Sequence, residues 1–176
     1  MDLVKVSMIQ SWPEPRNICK VQSFLGFANF YQCFISHYAE FTQPLTNLCR
    51  KNTPWQFGES ESAAFHHLKM AFRLAPVLYH WALDLPMTVE TDASDYAIAG
   101  ILSITTLDLE ICPIAFHSQS LHDAERNYDT HNKELLAVFD CYKAWQHYLE
   151  ASGNPIDMVT DHKNLEYFTS TKKLTH

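Results

Sequence analysis

The stretch Met87-Thr88-Val89-Glu90-Thr91-Asp92-Ala93-Ser94 decides how the chain is read. Met87 and Val89 alternate with Thr88 and Glu90, the period of two expected of a half-buried strand, and the run stops in the small polar residues Asp92, Ala93 and Ser94. A strand of this design delivers a carboxylate to the rim of a sheet. A second run repeats it, with Ile156, Met158 and Val159 leading into Thr160-Asp161-His162. Two strands that finish in Thr-Asp predict two carboxylates at one rim, although Asp also ends strands simply because its short side chain suits a turn.

Beyond the first run, Ile98 to Ile104 and Ile111 to His117 predict, together with Met87 to Asp92, an antiparallel three-strand meander. The loop Thr105 to Glu110 lacks the Asn-Gly or Asp-Gly pair of a tight hairpin. From Thr130 the period changes: Leu135, Val138, Phe139, Tyr142, Trp145 and Leu149 mark the apolar stripe of a long helix, with Thr130 as N-cap and Gly153 close to the C-cap position. Asn154-Pro155 stops it. Glu134 falls in the first turn at the border of that stripe, so its carboxylate is expected to point toward the sheet that the helix covers. A first-turn Glu is also favoured by the helix dipole alone, by roughly 0.3 to 1 kcal/mol. The strand Ile156 to Asp161 and a helical stretch around Asn164 to Phe168 complete the pattern.

Upstream, Trp12-Pro13-Glu14-Pro15 predicts an extended or turning segment, with a helix beginning only after it. Val21, Phe24, Leu25, Ala28, Tyr31, Phe34 and Ile35 then form one helical stripe. Pro44 is expected to open a second short helix carrying Leu45 and Leu48. A third should run from about Glu59 to Ala75, capped by Ser60 or Ser62. The aromatic series Phe24, Phe27, Phe30, Tyr31 and Phe34 is of a kind that can stack on bases, but at helical spacing it reads first as core. Pro76 and Pro86 bracket a connector after which period 3.6 gives way to period 2, and the domain boundary is placed there.

The bulk composition narrows the function classes. With 176 residues, 47% hydrophobic and 19% charged, the chain has the make-up of a folded protein. Its net charge of -7 is uneven: residues 1–85 hold seven Lys/Arg and six Asp/Glu, residues 86–176 six and fourteen. An acidic second half disfavours a protein that coats nucleic acid through Lys and Arg and suits carboxylates that hold cations. Five cysteines without a Cys-x-x-Cys pair argue against a disulfide framework or zinc knuckle. His66-His67, His117, His122 and His131 make no metal-ligand spacing. No apolar run approaches the roughly 20 residues that span a bilayer, and no signal-peptide core opens the chain. A soluble, intracellular protein without a membrane partner is expected.

Asp92, Glu134 and Asp161 together would cluster hard oxygen donors. Mg²⁺ takes a few carboxylates and keeps waters for phosphate oxygens, and two such ions about 3.5 to 4 Å apart serve phosphodiester hydrolysis.

Four motifs in this order are the carriers of a resemblance: Glu90-Thr91-Asp92-Ala93-Ser94-Asp95, Asp123-Ala124-Glu125-Arg126-Asn127-Tyr128, Lys133-Glu134-Leu135-Leu136-Ala137-Val138 and Val159-Thr160-Asp161-His162-Lys163. Residues 86–176 resemble the ribonuclease H domain of a reverse transcriptase from a gypsy-type LTR retrotransposon. Residues 1–80 resemble the thumb of the polymerase part, through the run Val21 to Tyr31 and Ala75-Pro76-Val77-Leu78. The resemblance implies an α+β chain. A small helical thumb subdomain (1–80) comes first, then a ribonuclease H-like domain (86–176) of three antiparallel strands, a long helix and a further strand, truncated at its C-terminus.

It also implies that Asp92, Glu134 and Asp161 are catalytic metal ligands. With two Mg²⁺ ions they would cut the RNA strand of an RNA/DNA hybrid. The helix from Val21 would lie near a template-primer duplex, and the remainder of a Pol polyprotein would be a partner, in the cytoplasm within a virus-like particle or in the nucleus. The family's fourth carboxylate is expected beyond His176, so hydrolysis by the chain alone should be weak or absent. The sequence has no Asp-Asp pair of a polymerase site, and Gln32-Cys33 stands where the family commonly has basic residues. The alternative expectation is a non-catalytic remnant or a domesticated binding module.

Overall fold

The computed structural model describes residues 3–75, 78–82 and 84–160, with side chains from Val6 onward. Asp161 and the helical stretch expected around Asn164 to Phe168 lie outside the described residues. Four helices come first: α1 (Leu3–Gln10), α2 (Ile18–Asn29), α3 (Tyr38–Leu48) and α4 (Glu59–Leu74), with a 3₁₀ turn (Gln32–Phe34) between α2 and α3. Three strands follow, β1 (Met87–Ala93), β2 (Ala97–Thr105) and β3 (Ile111–Ser120). Then come a 3₁₀ turn (Glu125–Asn127), α5 (Thr130–Ala144), α6 (Gln146–Leu149) and β4 (Ile156–Thr160). This is the mixed α+β order expected, with the three-strand meander, the long helix and the further strand all present.

The helical part departs from expectation in instructive ways. A helix does precede the prolines: α1 ends at Gln10, and its Ile9 is fully buried beside Phe24 and Phe65 in one apolar core. The prolines separate two helices; they do not prevent the first. The single stripe from Val21 to Ile35 is broken, because α2 ends at Asn29 and leaves Phe30 78% exposed. Tyr31 instead caps a 3₁₀ turn that Phe34 ends, in which residues three apart also share one side. Pro44 sits inside α3 and does not open it. Tyr38, Ala39, Thr42, Leu45 and Leu48 are all buried, and that apolar face carries the helix through a proline that removes one backbone bond. At α4, Gly58 is the N-cap in place of a serine, and its N–H donates to Glu61 Oε2 at 2.9 Å.

The sheet has the order β3-β2-β1-β4. β1 pairs antiparallel with β2 and parallel with β4, in a register that sets Thr91 against Thr160. β1 and β4 therefore finish at the same end. β3 is an edge strand with a bulge opposite Leu102/Ser103, where Pro113 is accommodated without a ladder N–H. The Pro113 carbonyl accepts from the Tyr79 N–H at 2.9 Å.

α5 crosses one face of β1 and β2, but not with the stripe that its sequence offers. Its buried residues are Lys133, Glu134, Ala137 and Cys141, continued by Trp145 and Leu149, whereas Phe139 is 65% exposed. The cause is close approach. A Cβ at Gly100 of β2 would overlap Cys141 Sγ and stand 3.0 Å from Trp145 Cη2, so at this crossing the helix presents Ala137 and Cys141 to the sheet and turns Phe139 outward. Asp129, not Thr130, is the N-cap, and the helix breaks at Trp145 well short of Gly153. The second core thus joins Met87, Val89, Leu102 and Ile104 to Cys141, Trp145 and Leu149. The other side of the sheet receives α3, whose Ala39 N–H donates to Ser118 Oγ at 3.0 Å.

Candidate active site at the end of the sheet

β1 alternates strictly. Met87, Val89 and Thr91 are buried on the α5 side, and Thr88, Glu90 and Asp92 belong to the other. Asp92 is the last of that second series, paired across the ladder with Ala99. Its side chain is 57% exposed, and its Oδ2 stands 4.0 Å from His37 Nδ1. The turn that follows is closed by Ser94, whose N–H donates to the Ala97 carbonyl at 2.8 Å while its Oγ accepts from the Ala97 N–H at 3.0 Å. The end of β1 is therefore held from both sides of the turn, and Asp92 projects from a fixed backbone.

Glu134 lies in the first turn of α5 and is only 2% exposed, as a carboxylate pointing into the sheet interface must be. The neighbouring Lys133 fixes that turn. Its Nζ donates to Asp95 Oδ1 at 2.9 Å, tying the start of α5 to the β1–β2 connection. Hydrogen bond and charge together hold the Asp95 carboxyl below the usual carboxylate range. One turn on, Ala137 packs against Ile98 and Ala93. Asp92 and Glu134 thus belong to one end of the sheet, Asp92 exposed on the α3 side of β1 and Glu134 buried beneath α5. Asp161 follows Thr160 in sequence and lies outside the described residues.

The structure also places beside Asp92 a residue that the sequence did not single out. His37 precedes α3 in the left-handed region, at φ 54°, uncommon for a residue with a side chain. It lies between Asp92 and Glu40, whose Oε2 is 3.9 Å away. With Glu90, Asp92 and Gly100 it lines a pocket of about 200 Å³. Nothing in the local sequence marks this proximity, which comes from the packing of α3 on β3. Carboxylate oxygen is the donor type a hard divalent cation takes, but here Asp92 and Glu134 stand on opposite faces of the sheet. Among the described residues no three His, Cys, Asp or Glu side chains converge on a common point.

Residues 57–158 match the family model described as the RNase H-like domain found in reverse transcriptase. Over 160 residues, 91% of the chain, the sequence is 33% identical to the Transposon Tf2-3 polyprotein of Schizosaccharomyces pombe, and to the same extent to the Tf2-4 polyprotein. The chain spans 12% of the length of those relatives. In fold it is similar to the foamy viral protease-reverse transcriptase in complex with RNA/DNA hybrid, with a TM-score of 0.73 and 21% identity over 92% of this chain and 22% of that one. The foamy viral protease-reverse transcriptase dRH in complex with ds DNA gives a TM-score of 0.75 and 20% identity over 98% of this chain and 30% of that one. No helix among the described residues is long and apolar enough to cross a membrane.

Proposed function

The chain belongs to the family of RNase H-like domains found in reverse transcriptases, and from that membership we propose that it hydrolyses the RNA strand of an RNA/DNA hybrid as one part of a longer retroelement Pol polyprotein. Residues 1–80 act in this reading as a thumb-like unit beside the duplex, and residues 86–176 as the hydrolytic domain. Asp92, Glu134 and Asp161 are the residues proposed to hold two Mg²⁺ ions. When bound, such ions supply an activated water and stabilise the leaving oxygen of the phosphodiester. The protein works intracellularly, in the cytoplasm or the nucleus. The foamy viral enzyme of similar fold, seen with an RNA/DNA hybrid, supports the choice of substrate.

The observation that carries the reading is the meeting at one sheet end of the finish of β1, the parallel finish of β4 and the first turn of α5 with its buried Glu134. Each residue then has a task. The exposed Asp92 faces an incoming phosphate group from a backbone that Ser94 holds in place. Glu134 enters from beneath, in a turn clamped by the Lys133–Asp95 pair. His37, opposite Asp92, orients that carboxylate from the helical part.

The test is cleavage of a labelled RNA/DNA hybrid in Mg²⁺ by a Pol polyprotein that contains the chain, with and without Asp92→Asn and Glu134→Gln. Each variant should lose at least about a hundredfold in rate, the upper range for groups that orient or hold a catalytic metal. Cleavage at the parent rate by both variants would remove the assignment.

A further inference from the structure

Two exposed apolar surfaces on the sheet domain carry opposite charge. The connection between β2 and β3 turns out Leu107, Leu109 and Ile111, which are 92%, 83% and 64% exposed, and sets the exposed Asp108 and Glu110 between them. The outward face of α5 presents Leu135, Phe139 and Tyr142 in one line, at spacings of four and three, with the exposed His131 at its start and the exposed Lys143 beside Phe139. Asp108, Glu110 and Lys143 make no ion pair among the described residues. The two acids of α5 lie away from this face, Glu134 buried against the sheet and Asp140 bonded to His117 Nε2 at 2.8 Å.

The β2–β3 tip is an ordered knob. Beyond the last ladder pair, Thr105 with Ile111, the Thr106 N–H donates to the Glu110 carbonyl and the Leu109 N–H to the Thr106 carbonyl, both at 2.9 Å. Thr106 Oγ1 accepts in turn from the Glu110 N–H at 3.2 Å. Leu109 is held there in the left-handed region at φ 62°, where Gly or Asn is the ordinary occupant. A leucine so placed costs stability at its own site and contributes nothing to the core, so the monomer alone gives no reason for it. A knob already ordered loses little freedom on docking. Within one molecule the two surfaces cannot meet. The Thr105 N–H is bonded to the Pro86 carbonyl at 2.9 Å, so the tip projects past the start of β1, whereas the α5 face points away from the sheet.

We propose that the β2–β3 tip of one copy of this chain docks on the outward face of α5 of a second copy, with Leu107 and Leu109 against Phe139 and Tyr142, and Asp108 and Glu110 facing Lys143. Charge selects the receiving surface. Residues 86–176 carry fourteen acidic and six basic side chains, so two such domains repel at most approaches. The outward face of α5, with Lys143 and no exposed acid, is where an acidic tip is received. A knob of three side chains against one helix face falls at the small end of specific interfaces, so the association is reversible and depends on concentration. It stands apart from the hydrolytic reading.

The experiment is sedimentation velocity of the full chain over a concentration series, with Leu109→Asn and Phe139→Gln as variants. Asn accepts a left-handed backbone, Gln is a good helix former, and both positions are exposed. Each variant should therefore fold as the parent does, which circular dichroism and urea midpoints check. The parent should associate as its concentration rises. Either variant alone should weaken that association by roughly thirtyfold or more, the loss of one interface hot spot. An equal mixture of the two should regain dimers, because one variant supplies an intact tip and the other an intact α5 face. Lys143→Glu should weaken association at low salt, and added salt should narrow the difference. A parent that stays monomeric throughout would overturn the proposal. So would association that survives Leu109→Asn, as pairing of two α5 faces or of two sheet edges would give, and so would a mixture no more associated than its components.

Discussion

Replacing Gly100 by Ala should loosen the contact on which the position of Glu134 depends. The added Cβ would overlap Cys141 Sγ, stand 3.0 Å from Trp145 Cη2 and 3.3 Å from the Glu90 carbonyl oxygen. Apolar atoms rest at about 3.5 to 4.0 Å, and the strand backbone cannot yield without breaking its ladder, so α5 must move outward. Forcing a methyl into a packed core costs about 1 to 3 kcal/mol. The lower entropy of unfolded Ala relative to Gly returns roughly 0.5 to 1 kcal/mol. The net loss is then up to about 2.5 kcal/mol, or up to some 10 °C in melting temperature for a chain of this length. Thermal unfolding followed by circular dichroism measures it directly. The double variant with Cys141→Ala vacates the overlapped volume and should show a favourable coupling of about 0.5 to 3 kcal/mol relative to the summed single changes. A Gly100→Ala protein more stable than its parent would refute the close approach of α5 to β2.

Alkaline pH should destabilise the fold. Burial, aided by the Asp140 charge, pushes the Cys141 thiol up to about 12 from an ordinary value near 9, and burial also raises the Tyr38 hydroxyl. A raised pKa means that the stabilisation is complete below the unfolded value and is lost as pH climbs toward the folded one. Urea midpoints should therefore fall between pH 9 and 12, and less steeply in Cys141→Ala. Lys133→Met should cut hybrid cleavage by roughly tenfold, as loss of a residue that orients a ligand does. Its effect should fall on kcat with KM unchanged, and Lys133→Arg should restore part of the rate. Because Lys133 holds the Asp95 carboxyl low, the Asp95 signal in an NMR titration should move upward in pH in Lys133→Met.

The strands were legible because one face of each is buried. Period two in Met87 to Asp92 marks which residues face α5, and the meander and β4 follow the same rule. α5 was legible as a helix but not in its orientation. Its large apolar residues, Phe139 and Tyr142, are outward, since Gly100, Ala137 and Cys141 allow a closer approach than Leu and Phe could. Composition alone favours the larger stripe; only the position of a glycine on another strand reverses it. Pro44 misled because a proline usually opens a helix, whereas here five buried side chains outweigh one missing bond. Of the candidate site, Glu134 could be placed from its helical position, but His37 beside Asp92 could not. That proximity depends on a left-handed residue and on the docking of α3 against β3, both long-range outcomes of folding.

The central claim is that Asp92 and Glu134 serve one divalent-cation site at the end of β1. Paramagnetic broadening of backbone amide signals by Mn²⁺ measures that without requiring turnover. Broadening centred jointly on Asp92, Ser94 and Glu134, and abolished by either Asp92→Asn or Glu134→Gln, is the result predicted. Broadening that spares Glu134 and survives its substitution would contradict the claim.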